Sequence, residues 1–211
     1  DKTKRQRLYR TVSIAMVSVI LLSLLLPIGV GLAAYNVYNN VHGLALDGVN
    51  HLMTVKALIP TSKNDIMSVL DTSKLQKAQS QLKYAEADFI QLQQLADRPD
   101  IQSILQQVAP QYVGDLSMAK HLLQVALDVS RMGQELTGVG VIAANIVHSS
   151  PLATNATKPL ISVADVSDIK ATITHALYYM DDIQQNMSQV QLSSLTMISA
   201  KQKAQLTGVL T

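Results

Sequence analysis

From Thr11 to Tyr35 the chain runs through 25 residues dominated by Val, Ile and Leu, with Tyr35 the one titratable side chain among them. The apolar core of an export signal covers about 7 to 15 residues, whereas a helix that spans a bilayer needs about 20. The length therefore predicts a retained transmembrane helix, drawn over residues 11–38. Leu32, Ala33 and Ala34 are the one feature resembling a cleavage site. Pro27 removes a backbone donor from this helix and is expected to kink it in its outer third. Beyond it the period changes to that of an amphipathic helix. Val37, Val41, Leu44, Gly48, Leu52, Val55 and Ile59 recur at steps of three and four, which predicts a stalk helix over residues 39–60, ended by Pro60.

The remaining chain, residues 61–211, reads as an elongated helical bundle. After "DTSK", where Asp71, Thr72 or Ser73 can cap, the cleanest seam of the sequence follows: Leu75, Ala78, Leu82, Ala85, Phe89, Leu92 and Ala96. The breaks "DRPD" and "APQYVGD" flank a short helix, and a long helix is expected from Asp115. Its seam begins with Leu116, Ala119, Leu123 and Ala126, then turns small with Ser130, Gly133, Thr137 and Gly140. Small residues admit a close backbone, although each interior Gly costs a helix up to about 1 kcal/mol relative to Ala. After the loop "HSSPLATNATKP" a last major helix is expected from Asp165 or Ser167, with Ile169, Ile173, Ala176, Met180, Ile183, Met187 and Val190 as its seam. A shorter helix around residues 199–210 would complete an all-α chain.

Charge fixes the orientation of the first segment. Lys2, Lys4, Arg5, Arg7 and Arg10 crowd its N-terminal side in residues 1–10. Positive flanks stay cytoplasmic, so a single pass with the bulk of the chain extracytoplasmic is expected. The whole chain has 17 Lys and Arg against 15 Asp and Glu; with residues 1–10 set aside, 12 face 14. That mildly acidic remainder argues against a nucleic-acid partner, which would need a basic face. The expected partners are the lipid bilayer and other helical protein chains.

Candidate chemistry is sparse. There is no Cys, so neither a disulfide framework nor a thiolate nucleophile exists. The five His, at positions 42, 51, 121, 148 and 175, never take the i, i+4 spacing of a helical metal pair. Asp181 and Asp182 adjoin each other without an opposing acid. No nucleophile elbow or phosphate-binding Gly loop occurs. No cofactor, metal or catalytic residue is therefore expected. The residues expected to matter are those of helix packing or assembly: Leu75, Leu82, Phe89, Leu116, Leu123, Gly133, Gly140, Ile173 and Met180.

The stretches "LQKAQSQLKYAEADFIQLQQL" and "VAPQYVGDLSMAKHLLQVALDVSRMGQEL" resemble the N-terminal half of large bacterial envelope proteins carrying the domain of unknown function 4012. The residues that carry the resemblance are Pro110, Tyr112, Gly114, Asp115, Leu116, Ala119, Leu122, Leu123 and Ala126. It implies a basic tail, one membrane helix and a helical section, over roughly residues 5–195. The later domain that would identify the family, with its asparagine, glutamate, arginine and paired-glycine signature, does not occur in these 211 residues, so its activity is not carried over. Two readings of function follow. One is a membrane-anchored, non-catalytic structural or assembly protein of the cell envelope or a membrane complex. The other is the extracytoplasmic helical-bundle sensor of a truncated receptor.

Overall fold

The computed structural model describes residues 31–59, 70–108, 110, 113–149 and 161–190. Among them are five helices and no strand: α1 (Gly31–Leu58), α2 (Thr72–Ala96), α3 (Pro99–Val108), α4 (Val113–Ser149) and α5 (Val163–Ser188). Local chemistry sets several of the ends. Asp71 caps α2, accepting from the backbone N–H groups of Ser73 at 3.0 Å and Lys74 at 3.2 Å. Pro99 opens α3 at a position where its missing N–H costs nothing. Ser162 and Asp165 form a reciprocal capping box at the start of α5, three residues ahead of the start expected at Asp165. The long helix α4 likewise begins at Val113, which places Asp115 inside its first turn, where it is buried.

The four long helices pack in series, with α1 against α2, α2 against α4 and α4 against α5, while α3 touches α2 and α4 lightly. The main core lies where three of them meet. Val41, Ala45 and Val49 from α1 enclose Ala85, Phe89 and Leu92 from α2, together with Leu123, Ala126 and Leu127 from α4. A smaller cluster of Val55, Ala78 and Leu82 continues it toward the C-terminal end of α1. Phe89, the only Phe of the chain, is fully buried. It lies against Gly48, where a Cβ would come within 2.7 Å of the ring. Gly133 and Gly140 serve the same purpose on α4, since a Cβ there would sit 2.9 Å from Leu82 and 3.0 Å from Leu75. The small seam of α4 is thus the groove that receives the large residues of α2.

Residues 39–58 are helical as expected and are also a wall of the core, because Val41, Ala45, Val49 and Val55 are buried. The helix begins at Gly31 and crosses the expected boundary at residue 38 without interruption. Among the described residues no helix is long and apolar enough to cross a membrane. The expected span over residues 11–38 therefore finds no support there; its residues 11–30, with Pro27, and the basic residues Lys2, Lys4, Arg5, Arg7 and Arg10 lie outside the described residues.

One seam needs correction. On α5 only Ala176 is buried, while Ile173 and Met180 are each 44% exposed. The inward stripe instead runs Asp165, Ile169, Thr172, Ala176, Tyr179, Ile183 and Asn186, at steps of three and four. Ile173 and Met180 lie about 40–80° around the helix from Ala176 and Ile183 at about 100° per residue. The apolar arc of α5 is wider than the surface α4 covers, and the expected seam mixed residues from its covered and uncovered parts.

Candidate functional site

The residues expected for helix packing divide clearly. Leu75, Leu82, Phe89 and Leu123 are buried where α1, α2 and α4 converge, and Leu116 is half-buried near the start of α4. Gly133 and Gly140 join Leu75 and Leu82 in lining an open groove of about 230 Å³ between the C-terminal part of α1, the N-terminal part of α2 and the second half of α4. Ile59 and Leu136 stand exposed at its rim. Ile173 and Met180 belong to neither the core nor the groove.

Two polar clusters inside the bundle were not visible as units in the sequence. In the first, Arg131 of α4 donates from Nε to Glu86 Oε1 of α2 at 2.7 Å, and Gln134 donates to the other oxygen of Glu86 at 2.7 Å. The network extends through Asp128, whose two oxygens accept from Gln124 at 3.0 and 3.1 Å, and Gln124 accepts in turn from Gln93 of α2 at 3.1 Å. Burial alone would raise the Glu86 carboxyl, but the hydrogen bonds from Arg131 and Gln134 outweigh it and hold the group below the usual carboxylate range. Asp128, 1% exposed, is moved the other way. Burial raises it, the Gln124 bond opposes that, and the nearby Asp182 carboxylate of α5 adds to the rise.

The second cluster joins α1 to α2. His51 Nδ1 lies 2.6 Å from Gln81 Oε1, its Nε2 lies 3.7 Å from Asp88 Oδ2, and its ring is 5.4 Å from that of Tyr84. Asp88 Oδ2 is a buried acceptor without a hydrogen-bond partner. Its carboxyl is raised by burial, against the pull of His51 and with a further rise from Asp47.

The contact between α4 and α5 includes polar pairs as well. His121 Nδ1 meets Asn186 Oδ1 at 2.9 Å, and His175 Nδ1 lies 3.5 Å from Glu135 Oε1. His121, Asp128 and Glu135 are spaced by seven residues and mark the face of α4 toward α5. That heptad of polar residues was a signal available in the sequence, missed because only apolar positions were followed. Among the described residues no group of three or more His, Asp or Glu side chains converges to hold a metal ion.

Fold and side chains together define, among the described residues, an all-helical bundle with an apolar three-helix core and a fourth long helix whose contact with α4 includes polar pairs. No protein-family model, no curated protein and no solved structure matches the chain.

Proposed function

We propose that the chain is a membrane-anchored, non-catalytic structural or assembly protein with its bulk on the extracytoplasmic side. It acts through helix–helix packing with the bilayer and other helical chains as partners. The observation that carries this reading is the continuity of α1. It opens at Gly31, inside the apolar run that began at Thr11, and by Val41 it is a buried wall of the core. An anchor followed so closely by the core fixes the bundle near the membrane surface and leaves little slack between them. The groove rimmed by Ile59 and Leu136 offers an apolar surface to a partner helix.

The test is fractionation of cells expressing the full chain. The protein is expected to stay with membranes through an alkaline carbonate wash and to be digested by protease added outside the cytoplasmic membrane. Release into the wash would overturn the anchor, and protection from external protease would overturn the orientation. The polar contact between α4 and α5 favours a second reading, a sensor module whose α5 shifts against the core. A ligand that changes the reactivity of a probe at the α4–α5 contact, without changing assembly mass, would select it.

A further inference from the structure

Between α1 and α2 a single imidazole ring faces an oxygen on either side. His51 of α1 has Gln81 Oε1 at 2.6 Å from Nδ1 and Asp88 Oδ2 at 3.7 Å from Nε2, and both oxygens belong to α2. Both side chains of the ion pair are mostly buried, and Asp88 Oδ2 has no hydrogen-bond partner. An amide oxygen accepts only, and so does an ionised carboxylate. Meeting both oxygens therefore takes a hydrogen on each ring nitrogen, or one on Nδ1 and another on Oδ2 that points at Nε2. Each form holds one proton more than a neutral ring beside a carboxylate, so this proton belongs to the pair.

The pair stands at the edge of the apolar groove. Val55 and Leu58 of α1, which line it, follow His51 by about one and two turns, and Ala78 and Leu82 of α2 flank Gln81. We propose that His51 and Asp88 form a proton-operated latch that holds the C-terminal part of α1 on α2 and thereby sets the width of the groove. With the proton bound, His51 bridges Gln81 and Asp88. Its loss to solvent leaves a carboxylate facing a ring lone pair at a buried atom. The link is then given up, and the end of α1 carrying Val55 and Leu58 swings away from Ala78 and Leu82. The latch acts on the fit of α1 against α2, whether or not the run from Thr11 crosses a membrane.

The groups around the pair set the direction of the response. Burial raises the Asp88 carboxyl, His51 pulls it down, and Asp47, one turn before His51, adds to the rise. Tyr84 of α2 lies against the ring. Arg131 and Asp128 of α4 lie together on the side of Glu86, about 160° around α2 from Asp88. A proton held more tightly in the latched form than in the open one steadies the latch at low pH. That contribution is lost as pH rises through the midpoint of the pair.

Nuclear magnetic resonance of the full chain tests this, with His51→Gln assigning the ring signals. The ring nitrogens of His51 should titrate with a midpoint that falls by about one unit in Asp88→Asn, the effect of removing a carboxylate within about 4–6 Å. Amide hydrogen exchange reads the helix. Above the midpoint the protection factors of residues 52–58 should be about tenfold lower than below it, the equivalent of one unit, while the amides of Leu123 and Ala126 in α4 keep theirs. In His51→Gln that pH dependence should vanish. A midpoint that Asp88→Asn leaves in place, or protection of residues 52–58 that is the same on both sides of it, would overturn the latch. So would a neutral ring that keeps its hydrogen on Nε2 while Gln81 turns its amide nitrogen toward Nδ1, because the link then survives without the extra proton. Equal loss at Leu123 and Ala126 would assign the proton to the stability of the whole bundle and overturn the control of the groove.

Discussion

Alanine substitution of the interior glycines separates two effects that composition alone leaves merged. Every Gly→Ala change inside a helix gains about 1 kcal/mol of helix propensity. The neighbours of the new Cβ decide whether that gain survives. At Gly138 the Cβ meets nothing within 4 Å, so Gly138→Ala is expected to stabilise the bundle by up to about 1 kcal/mol, a rise of about 2–4 °C in Tm for a domain of this size. At Gly133 the Cβ would lie 2.9 and 3.0 Å from the two Cδ atoms of Leu82, which is itself 3% exposed and hemmed in. Overpacking of this kind costs about 1–3 kcal/mol, so the net for Gly133→Ala runs from neutral to a loss of about 2 kcal/mol. Gly140→Ala meets Leu75 at 3.0 and 3.2 Å and should fall slightly above it. Gly48→Ala is the most costly of the four. Its Cβ would be 2.7 and 2.9 Å from the Phe89 ring, which is fully buried and offers no flexible tip to swing away. Thermal unfolding followed by circular dichroism at 222 nm reads the series. The expected order of Tm is Gly138→Ala highest, then Gly140→Ala, Gly133→Ala and Gly48→Ala. A Gly48→Ala variant as stable as Gly138→Ala would show that α1 does not approach Phe89 as closely as the packing described here requires.

Replacing Leu82 or Leu123 by Asp places a carboxylate in the three-helix core, and helicity should collapse; Leu82→Ala should cost about 2–5 kcal/mol in urea unfolding. Arg131→Met leaves Glu86 without its guanidinium partner and is expected to cost about 1–2 kcal/mol, since both groups keep some solvent contact; Glu86→Gln in the same chain should return part of the loss in a double-mutant cycle. Asp128 has a raised folded-state pKa, so the folded protein binds its proton more tightly than the unfolded chain. Its contribution to stability is greatest below the unfolded pKa and declines as pH rises through the folded one. Glu86 is lowered and works oppositely, losing its contribution as pH falls through its folded pKa. Asp128→Asn should therefore flatten the decline on the alkaline side of that window, measured as Tm against pH, and leave the acid-side loss in place.

The apolar core was readable because it obeys a single rule. Leu75, Ala78, Leu82, Ala85, Phe89 and Leu92 recur at the helical period and all six are buried. The α1 face, Val41 through Val55, follows the same rule, as does Ala119 through Thr137 on α4. The heptad rhythm put Gly133 and Gly140 on the seam of α4 and left Gly138 off it, but did not say which side chains the two would meet. Gly133 and Gly140 meet Leu82 and Leu75, whereas Gly138 faces open space, and the pairing of α2 with α4 fixes which leucine each one receives. The polar clusters were illegible for a related reason. Glu86 and Arg131 are 45 residues apart and His51 and Gln81 are 30 apart, so each looks like an ordinary surface residue until its helices are docked. The rotation of α5 was misread because its apolar arc is broad, and hydrophobicity alone does not say which edge of a broad arc faces inward.

That breadth follows from how α4 divides its surface. Toward α2 it presents Leu123, Ala126 and Leu127, then Gly133 and Gly140, an apolar face with recesses that fix the register of its neighbour. Toward α5 it presents His121 and Glu135, which meet Asn186 and His175, and Asp128, whose carboxyl is repelled by the nearby Asp182. A polar contact of this kind gains little net free energy from each hydrogen bond and is sensitive to protonation, whereas the core is held by area removed from water. Among the described elements α5 packs chiefly on α4. Its inward positions are mixed in character, with Ile169, Ala176 and Ile183 beside Thr172 and Asn186, while Ile173, Leu177 and Met180 on its other side are exposed, so the packing of α5 among the described residues rests on one face.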